Sequence, residues 1–396
     1  MNLTKKQTEE VLSKFISEDN GLHSVMEMVL NSLMLCERSA YLSDVGLNKG
    51  NGFRQASVFG HGRQLELRIP RDRLSQFTPT ILALFREQES YLKEVSFKLY
   101  TKGLTTRDIS DVMGTIYGNS YSKSKVSNIS QSFYEQMEAW RNRDLDKHYL
   151  AFYIDGLHTK LKRENKYENE CFYIILGLKE DFTREIVAIV NFPQESATAW
   201  ELIFDEIKKR GVESVGLVIS DALSSIDKSI ANKFNTSHQK CTVHLLRNLM
   251  GHVRPTDKKE VADDFKQVLD VDNPTHCISS ALANFATYRD KWGKKYPAFG
   301  RYLDNLELTP YLTFLNYDVR IRRMIYTTNW VERFNKSARR TLKIRGAFPN
   351  EESVLALITS VGIELGDNHY AFPIYNFKYE PKLSKEESIS QKRRNT

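Results

Sequence analysis

The stretch GLVISDAL, Gly216–Leu223, is an apolar, β-branched run that ends on a bare carboxylate at Asp221. Gly216 to Ile219 reads as a buried strand, Ser220 and Asp221 follow, and a helical pattern opens at Ser224. A carboxylate in that place has two uses. It can accept bonds from the free N–H groups of the next helix, or it can stand at the mouth of a sheet and hold a metal. The flanking segments bear on the choice.

Upstream, LAFYIDGLHTKLKR, ECFYIILGLKEDF and REIVAIVNFPQ are three successive strand candidates from Leu150 onward. ESATAWELIFDEIKKRG is an amphipathic helix with Trp200, Phe204 and Ile207 on one face. VESVGLVISDA is the fourth strand, SSIDKSIANKF a helix, and QKCTVHLL a fifth strand or its start. The order β-β-β-α-β-α-β predicts a meander followed by right-handed crossovers: an α/β fold with a mixed sheet flanked by helices. Sites in open sheets of this kind form outside the carboxyl ends of the strands. Asp155, in FYIDGLH, reads as the end of the first strand and Asp221 as the end of the fourth, so this topology can make them neighbours.

Downstream, residues 250–322 lose strand character and read as a helical insertion, with segments such as DKKEVADDFKQVL. Thr327 to Arg345 then reads as one helix closed by Gly346. It carries Glu332 in NWVERFNKSARR, with Asn335, Lys336 and Arg339 on nearby turns of the same face. Between Arg320 and Arg345 nine basic residues, among them Arg333, Lys336, Arg339, Arg340, Lys343 and Arg345, surround that single acid. Two aspartates and a glutamate converging near arginines suit a pair of hard divalent cations, which can act on a phosphodiester. Each acid also has a plainer reading. Asp155 can precede a turn at Gly156, Asp221 can cap a helix, and Glu332 can pair with Lys336 at i+4. Cys241-Thr-Val-His244 is half a zinc site, and a thiol and imidazole at a strand-to-helix junction are more often structural than ligating.

The N-terminal part differs. Residues 5–45 read as helices, KGNGFR (Lys49–Arg54) as a loop, and RQLELRIPRDR as a basic edge strand or arm. Tyr91 to Arg143 holds three helix-length pieces separated by KGLTT and YGNSYS. That spacing suits a helix-turn-helix or a plain helical bundle. Lys123 and Lys125, in SKSKVSNI, then stand as phosphate contacts or as a solvated helix start.

Composition narrows the class. Hydrophobic residues at 41% and charged residues at 27% describe a soluble globular protein. No run approaches a membrane span, and Met1 to Asn20 is polar, which predicts a cytoplasmic setting without a membrane partner. Cys36, Cys171, Cys241 and Cys277 are too scattered for a disulfide framework. The net charge of +7 favours a nucleic-acid partner only weakly; the cluster around Glu332 favours it more.

The motifs YIDGLH, ISDAL, CTVHLLRN and YTTNWVERFNKSARRTLKIRGAFPNEE together resemble the Mutator-type bacterial insertion-sequence transposases, and the resemblance runs from about Gly52 to Ile358. It implies a ribonuclease H-like core with an Asp-Asp-Glu triad and an α-helical insertion before the glutamate. By motif, the catalytic and metal-binding triad is Asp155, Asp221 and Glu332. The family's Cys-x-x-His signature falls on Cys241 and His244, followed by Arg247, and a basic residue seven positions past the glutamate is Arg339. Two Mg²⁺ or Mn²⁺ ions are implied, as are double-stranded DNA carrying terminal inverted repeats, target DNA, and a homodimer or higher multimer that pairs two ends. The implied activity is DNA cleavage and strand transfer in the bacterial cytoplasm, at the nucleoid when DNA is bound. A non-catalytic DNA-binding regulator and a metal-dependent nuclease without strand transfer are the alternatives. Ala222 and Trp330 depart from the family pattern, which predicts local packing adjustments. The expected domains are 1–90, a helical region with a β arm; 91–146, helix-turn-helix; 147–249 with 323–365, the catalytic core; 250–322, the insertion; and 366–396, a tail.

Overall fold

The computed structural model describes residues 4–380 apart from 7, 11–12, 14–20, 61–62, 118–122, 164–165, 192–195 and 224–225. The tail from Pro381 therefore lies outside the described residues. The chain divides into two compact units, Met1–Phe133 and Tyr134–Thr396. Among the described residues, no helix is long and apolar enough to cross a membrane.

The first unit opens with helix α1 (Gly21–Val45), against which strands β1 (Gly50–Gly60) and β2 (Arg63–Asp72) pair as an antiparallel hairpin. Leu65, Leu67 and Ile69 alternate inward onto Met34 and Leu82, as the period-two pattern requires. Residues 49–54, expected as a loop, instead lie mostly within β1. Its pairing slips between Gly50 and Phe53, where Gly52 takes a φ of +65°, so the strand starts irregularly. Three helices follow: α2 (Ile81–Thr101), α3 (Thr106–Tyr117) and α4 (Lys123–Arg141), the last running past the unit boundary. Thr105 closes a capping box at the start of α3. Its hydroxyl accepts from Asp108 N at 3.2 Å, and the Asp108 carboxylate accepts from Thr105 N at 2.9 Å.

The second unit is a mixed sheet with helices on both faces. Strands β3 (His148–Arg163), β4 (Lys166–Lys179) and β5 (Arg184–Asn191) form an antiparallel meander. Helix α5 (Ala197–Lys209) crosses to β6 (Ser214–Val215) and β7 (Leu217–Ser220). Helix α6 (Ile226–Phe234) crosses to β8 (Ser237–Lys240). The sheet order is β5-β4-β3-β7-β8, with β7 parallel to both β3 and β8. Phe152 and Ile154 turn to one face and pack with Trp200, Phe204, Ile230 and Phe234 of the crossover helices. The alternate residues Tyr153 and Asp155 turn to the other, where a later helix lies.

Two expectations change here. Of QKCTVHLL, expected as a fifth strand or its start, only Gln239 and Lys240 are strand, and helix α7 (Thr242–Gly251) begins after Cys241. Cys241 N gives the last bond toward the sheet, to Ser220 O at 2.8 Å; Thr242 N then turns to Tyr326 O at 3.1 Å, and the chain leaves the sheet. Strand β3 also runs well past Asp155. Gly156 sits inside it opposite Tyr173 rather than in a turn, and a Cβ there would lie 2.8 Å from Cys171 Sγ.

Residues 258–304 form α8 (Lys258–Leu269), α9 (Ile278–Lys295) and α10 (Pro297–Asp304), all helical as read from the sequence. Helix α11 (Val319–Ile325) precedes α12 (Asn329–Arg345), which ends at Gly346 with a φ of +77°. The two-residue strand β9 (Ala347–Phe348) then pairs with β3 at Lys160 and Leu161, and α13 (Glu351–Leu365) follows.

Candidate functional site

The site forms where β3 and β7 part. Their parallel register pairs Phe152 with Val218, Tyr153 with Ile219 and Ile154 with Ser220. Asp155 and Asp221 are the next residue on each strand path, which makes these distant carboxylates neighbours. On the β7 side the carboxylate is that of Asp221. Its Oδ1 accepts from Ala222 N at 2.7 Å and faces His244 Nδ1 at 3.5 Å.

His244 comes from the first turns of α7 and spans the gap to α12: its Nε2 stands 3.8 Å from Glu332 Oε1. One imidazole therefore lies between two carboxylates that are 111 residues apart in sequence. Hydrogen bonding to Cys241, followed by the charges of Cys241, Asp221 and Asp155, raises the His244 pKa from an ordinary 6.5 to about 9. Arg247, one turn on, places Nη2 3.6 Å from Glu332 Oε2. Among the described residues Glu332 makes no ion pair with Lys336; its partners are His244 and Arg247.

Asp155 is buried, and Asn335 Nδ2 donates to its Oδ2 at 2.8 Å. Burial pushes its carboxyl above the ordinary carboxylate range, and the Asn335 bond and the His244 charge offset that only in part. Among the described residues Asp155 makes no ion pair.

Cys241 is fully buried and accepts from Thr328 N at 3.4 Å and Thr328 Oγ1 at 3.3 Å. Burial pushes this thiol up, but the bonds from His244 and Thr328 outweigh it and its pKa falls below the ordinary value. The signature thus ties α7 to the start of α12. Cys241 Sγ, a His244 ring nitrogen and a Glu332 oxygen also lie within 4.8 Å of one another, a ligand set of the kind a transition metal takes.

The basic residues separate by position. Glu332, Lys336, Arg339 and Lys343 recur at i, i+4, i+7 and i+11 along α12, and the three cations are exposed with Arg333 and Arg340 beside them. Arg345 turns elsewhere and is half-buried, 6.0 Å from the Phe348 ring. Asn335, expected beside Lys336 and Arg339, faces the sheet instead. Arg320 and Arg323 pair with Asp318 and Asp272, and Arg322 is buried on three carbonyls, so these members of the cluster are structural. Lys123 and Lys125 lie in the first turn of α4; their side chains are outside the described residues. Trp330 packs between guanidinium groups, 4.6 Å from Arg184 and 5.1 Å from Arg333. No sequence pattern pointed to Arg184, Thr328 or His238.

Fold and site together define a mixed α/β protein that gathers three far-separated carboxylates where two interior strands part, beside an exposed basic helix. Residues 1–371 match the family described as Transposase, Mutator family, and the chain belongs to it. It is 32% identical to the transposase for insertion sequence element IS1201 of Lactobacillus helveticus, over 87% of this chain and 93% of that protein. It is 30% identical to the transposase for IS905 of Lactococcus lactis subsp. lactis, over 93% and 92%. The transposase for IS256 in transposon Tn4001 of Staphylococcus aureus is 28% identical, over 91% and 94%.

Proposed function

We propose that this chain is the transposase of a bacterial insertion sequence, and that it cuts and joins DNA with Asp155, Asp221 and Glu332 as a metal-binding triad. The observation that carries this reading is convergence: β3 and β7 bring two aspartates into adjacent register, and His244 links the second to Glu332. The sheet order, an antiparallel meander followed by two parallel strands, supports a ribonuclease H-like core. The run α2-α3-α4 supports a helix-turn-helix that reads the terminal repeats, with Lys123 and Lys125 at the start of its last helix.

The residues fit hard divalent cations. Asp155 is a buried carboxylate that makes no ion pair among the described residues and whose burial the His244 charge offsets only in part, and the other two carboxylates lie on either side of the His244 imidazole. Asp155, Asp221 and Glu332 would hold two Mg²⁺ or Mn²⁺ ions, which when bound acidify water and neutralise charge at a scissile phosphate. Asn335 fixes the Asp155 carboxylate, and Thr328 with Cys241 fixes the turn before Glu332. The exposed cations of α12 hold the DNA backbone, with Arg339 nearest in family position to the cut. Hydrolysis at the element's end frees a 3′-hydroxyl, which attacks a target phosphodiester with no covalent protein intermediate. A multimer pairs the two ends, in the bacterial cytoplasm at the nucleoid.

The test is strand cleavage on DNA carrying the element's own ends, with Mg²⁺ or Mn²⁺, comparing wild type with Asp221→Asn. Cutting by wild type alone is the expected result. Equal cutting by both would remove Asp221 from the chemistry, and end binding without cutting by either would favour a regulator.

A further inference from the structure

Behind Asp221 lies a set of polar groups, buried at Ser220 and His238 and half-exposed at Asp227, that the proposed chemistry does not use. His238, on β8, is nine-tenths buried. Its Nδ1 meets Asp227 Oδ1 in a short contact, and its Nε2 lies 2.8 Å from Ser220 Oγ. Ser220 is fully buried at the end of β7, and its hydroxyl also donates to Asp221 O at 2.7 Å. Asp227, in the first turn of α6, takes Lys240 Nζ on its second oxygen at 3.0 Å.

The two partners of His238 are the two ends of the segment that carries Asp221. Ser220 precedes the aspartate, Asp227 follows it by six residues, and the imidazole joins them across the base. His238 is itself held in place, since its carbonyl accepts from Thr313 Oγ1 at 2.9 Å. A plain core histidine would need two partners as well, but nothing would require them to flank one carboxylate.

We propose that His238 is a positioning residue that clasps the Asp221 segment through Ser220 and Asp227, and so sets where the Asp221 carboxylate stands for metal binding. This rests on the reading of Asp221 as a metal ligand. Partners that orient a ligating group govern metal affinity although they never touch the ion.

The experiment is a Mn²⁺ titration of the full-length, DNA-free protein, followed by electron paramagnetic resonance. It is run beside end-DNA binding and the Mn²⁺ dependence of cleavage. Ser220→Ala and His238→Gln each break one link. Both are expected to weaken Mn²⁺ binding on the order of tenfold, leave end binding unchanged, and regain most of the cleavage rate at saturating Mn²⁺. Asp227→Ala, at a half-exposed carboxylate, should do the same and serves if the buried variants do not fold. Asp227→Asn keeps an acceptor for Nδ1–H and should restore the affinity toward wild type. Folded variants with wild-type Mn²⁺ affinity would overturn the clasp while leaving the triad intact. A wild type that cleaves its ends without binding Mn²⁺ at Asp221, judged against Asp221→Asn, would overturn the metal reading and the clasp together.

Discussion

The Asn335 amide donates to the Asp155 carboxylate at 2.8 Å, across 180 positions of sequence, and both groups are buried. A late helix thereby meets a strand from the middle of the chain at Asp155, the first member of the proposed triad. Among the described residues Asn335 Oδ1 has no hydrogen-bond partner, so the amide is committed to the carboxylate by one side only.

Asp155→Asn should abolish cleavage and yet stabilise the metal-free protein. Burial raises the Asp155 pKa, so the folded state holds its proton more tightly than the unfolded state. The stability cost of the ionised form is absent below the ordinary carboxylate pKa and is complete once the pH exceeds the raised value. Thermal unfolding in a chelator at neutral pH should show a higher midpoint for the variant, by about 2–4 °C for each kcal/mol relieved. A lower midpoint would mean that the carboxylate is compensated by some other group.

The imidazole between Asp221 and Glu332 predicts a loss of stability on the alkaline side. The His244 pKa is raised to about 9, so its contribution is complete below about 6.5 and is lost as pH rises through 9. Between those values, the wild-type melting temperature should fall more steeply than that of His244→Gln. Parallel curves would remove the charge of His244 from the account.

The exposed strip of α12 should be separable from Arg345 by salt. Arg339→Ala and Lys343→Ala should each lower the slope of log affinity against log salt for end DNA by about 0.9. Arg345→Ala should leave it unchanged, since that guanidinium lies over Phe348. Equal slopes for all three would argue against the strip as the phosphate contact.

Arg322 is predicted to matter for folding rather than for DNA. It donates to Tyr317 O at 3.0 Å, Asn273 O at 2.9 Å and Leu315 O at 3.0 Å. Arg322→Met strands those carbonyls and should cost about 3 kcal/mol in urea unfolding. End affinity should be unchanged at temperatures where the variant is folded.

What the sequence disclosed depended on the kind of signal. The first half of β3, the second half of β4 and all of β7 are buried on both faces, so their apolar runs stand out, and the chain order of runs and helices leaves few topologies. Asp155 and Asp221 were legible because each follows such a run. Asn335 was misread because on an amphipathic helix an asparagine counts as polar face, and only the packed partner shows that it points inward. The run LAFYIDGLHTKLKR reached Arg163 as β3 does, but Asp155 was placed at its end for a related reason. A glycine after an aspartate signals a turn, while here it makes room for Cys171 Sγ. His238 was passed over beside the Cys-x-x-His pair because its partners arrive through parallel strand pairing and a crossover helix, which leave no local pattern. Of the nine basic residues, three have structural work in α11, and no spacing rule distinguishes them from those on α12.

Helix α12 is attached at both extremities. At its start Thr328 bonds Cys241, and just beyond its end Ala347 and Phe348 join the strand that bears Asp155. A rod fixed at two points cannot swing about either one, so the distance from Glu332 to the sheet is settled by folding. Little ordering free energy is then left to be paid when DNA arrives, and binding can be spent on alignment of the scissile bond instead.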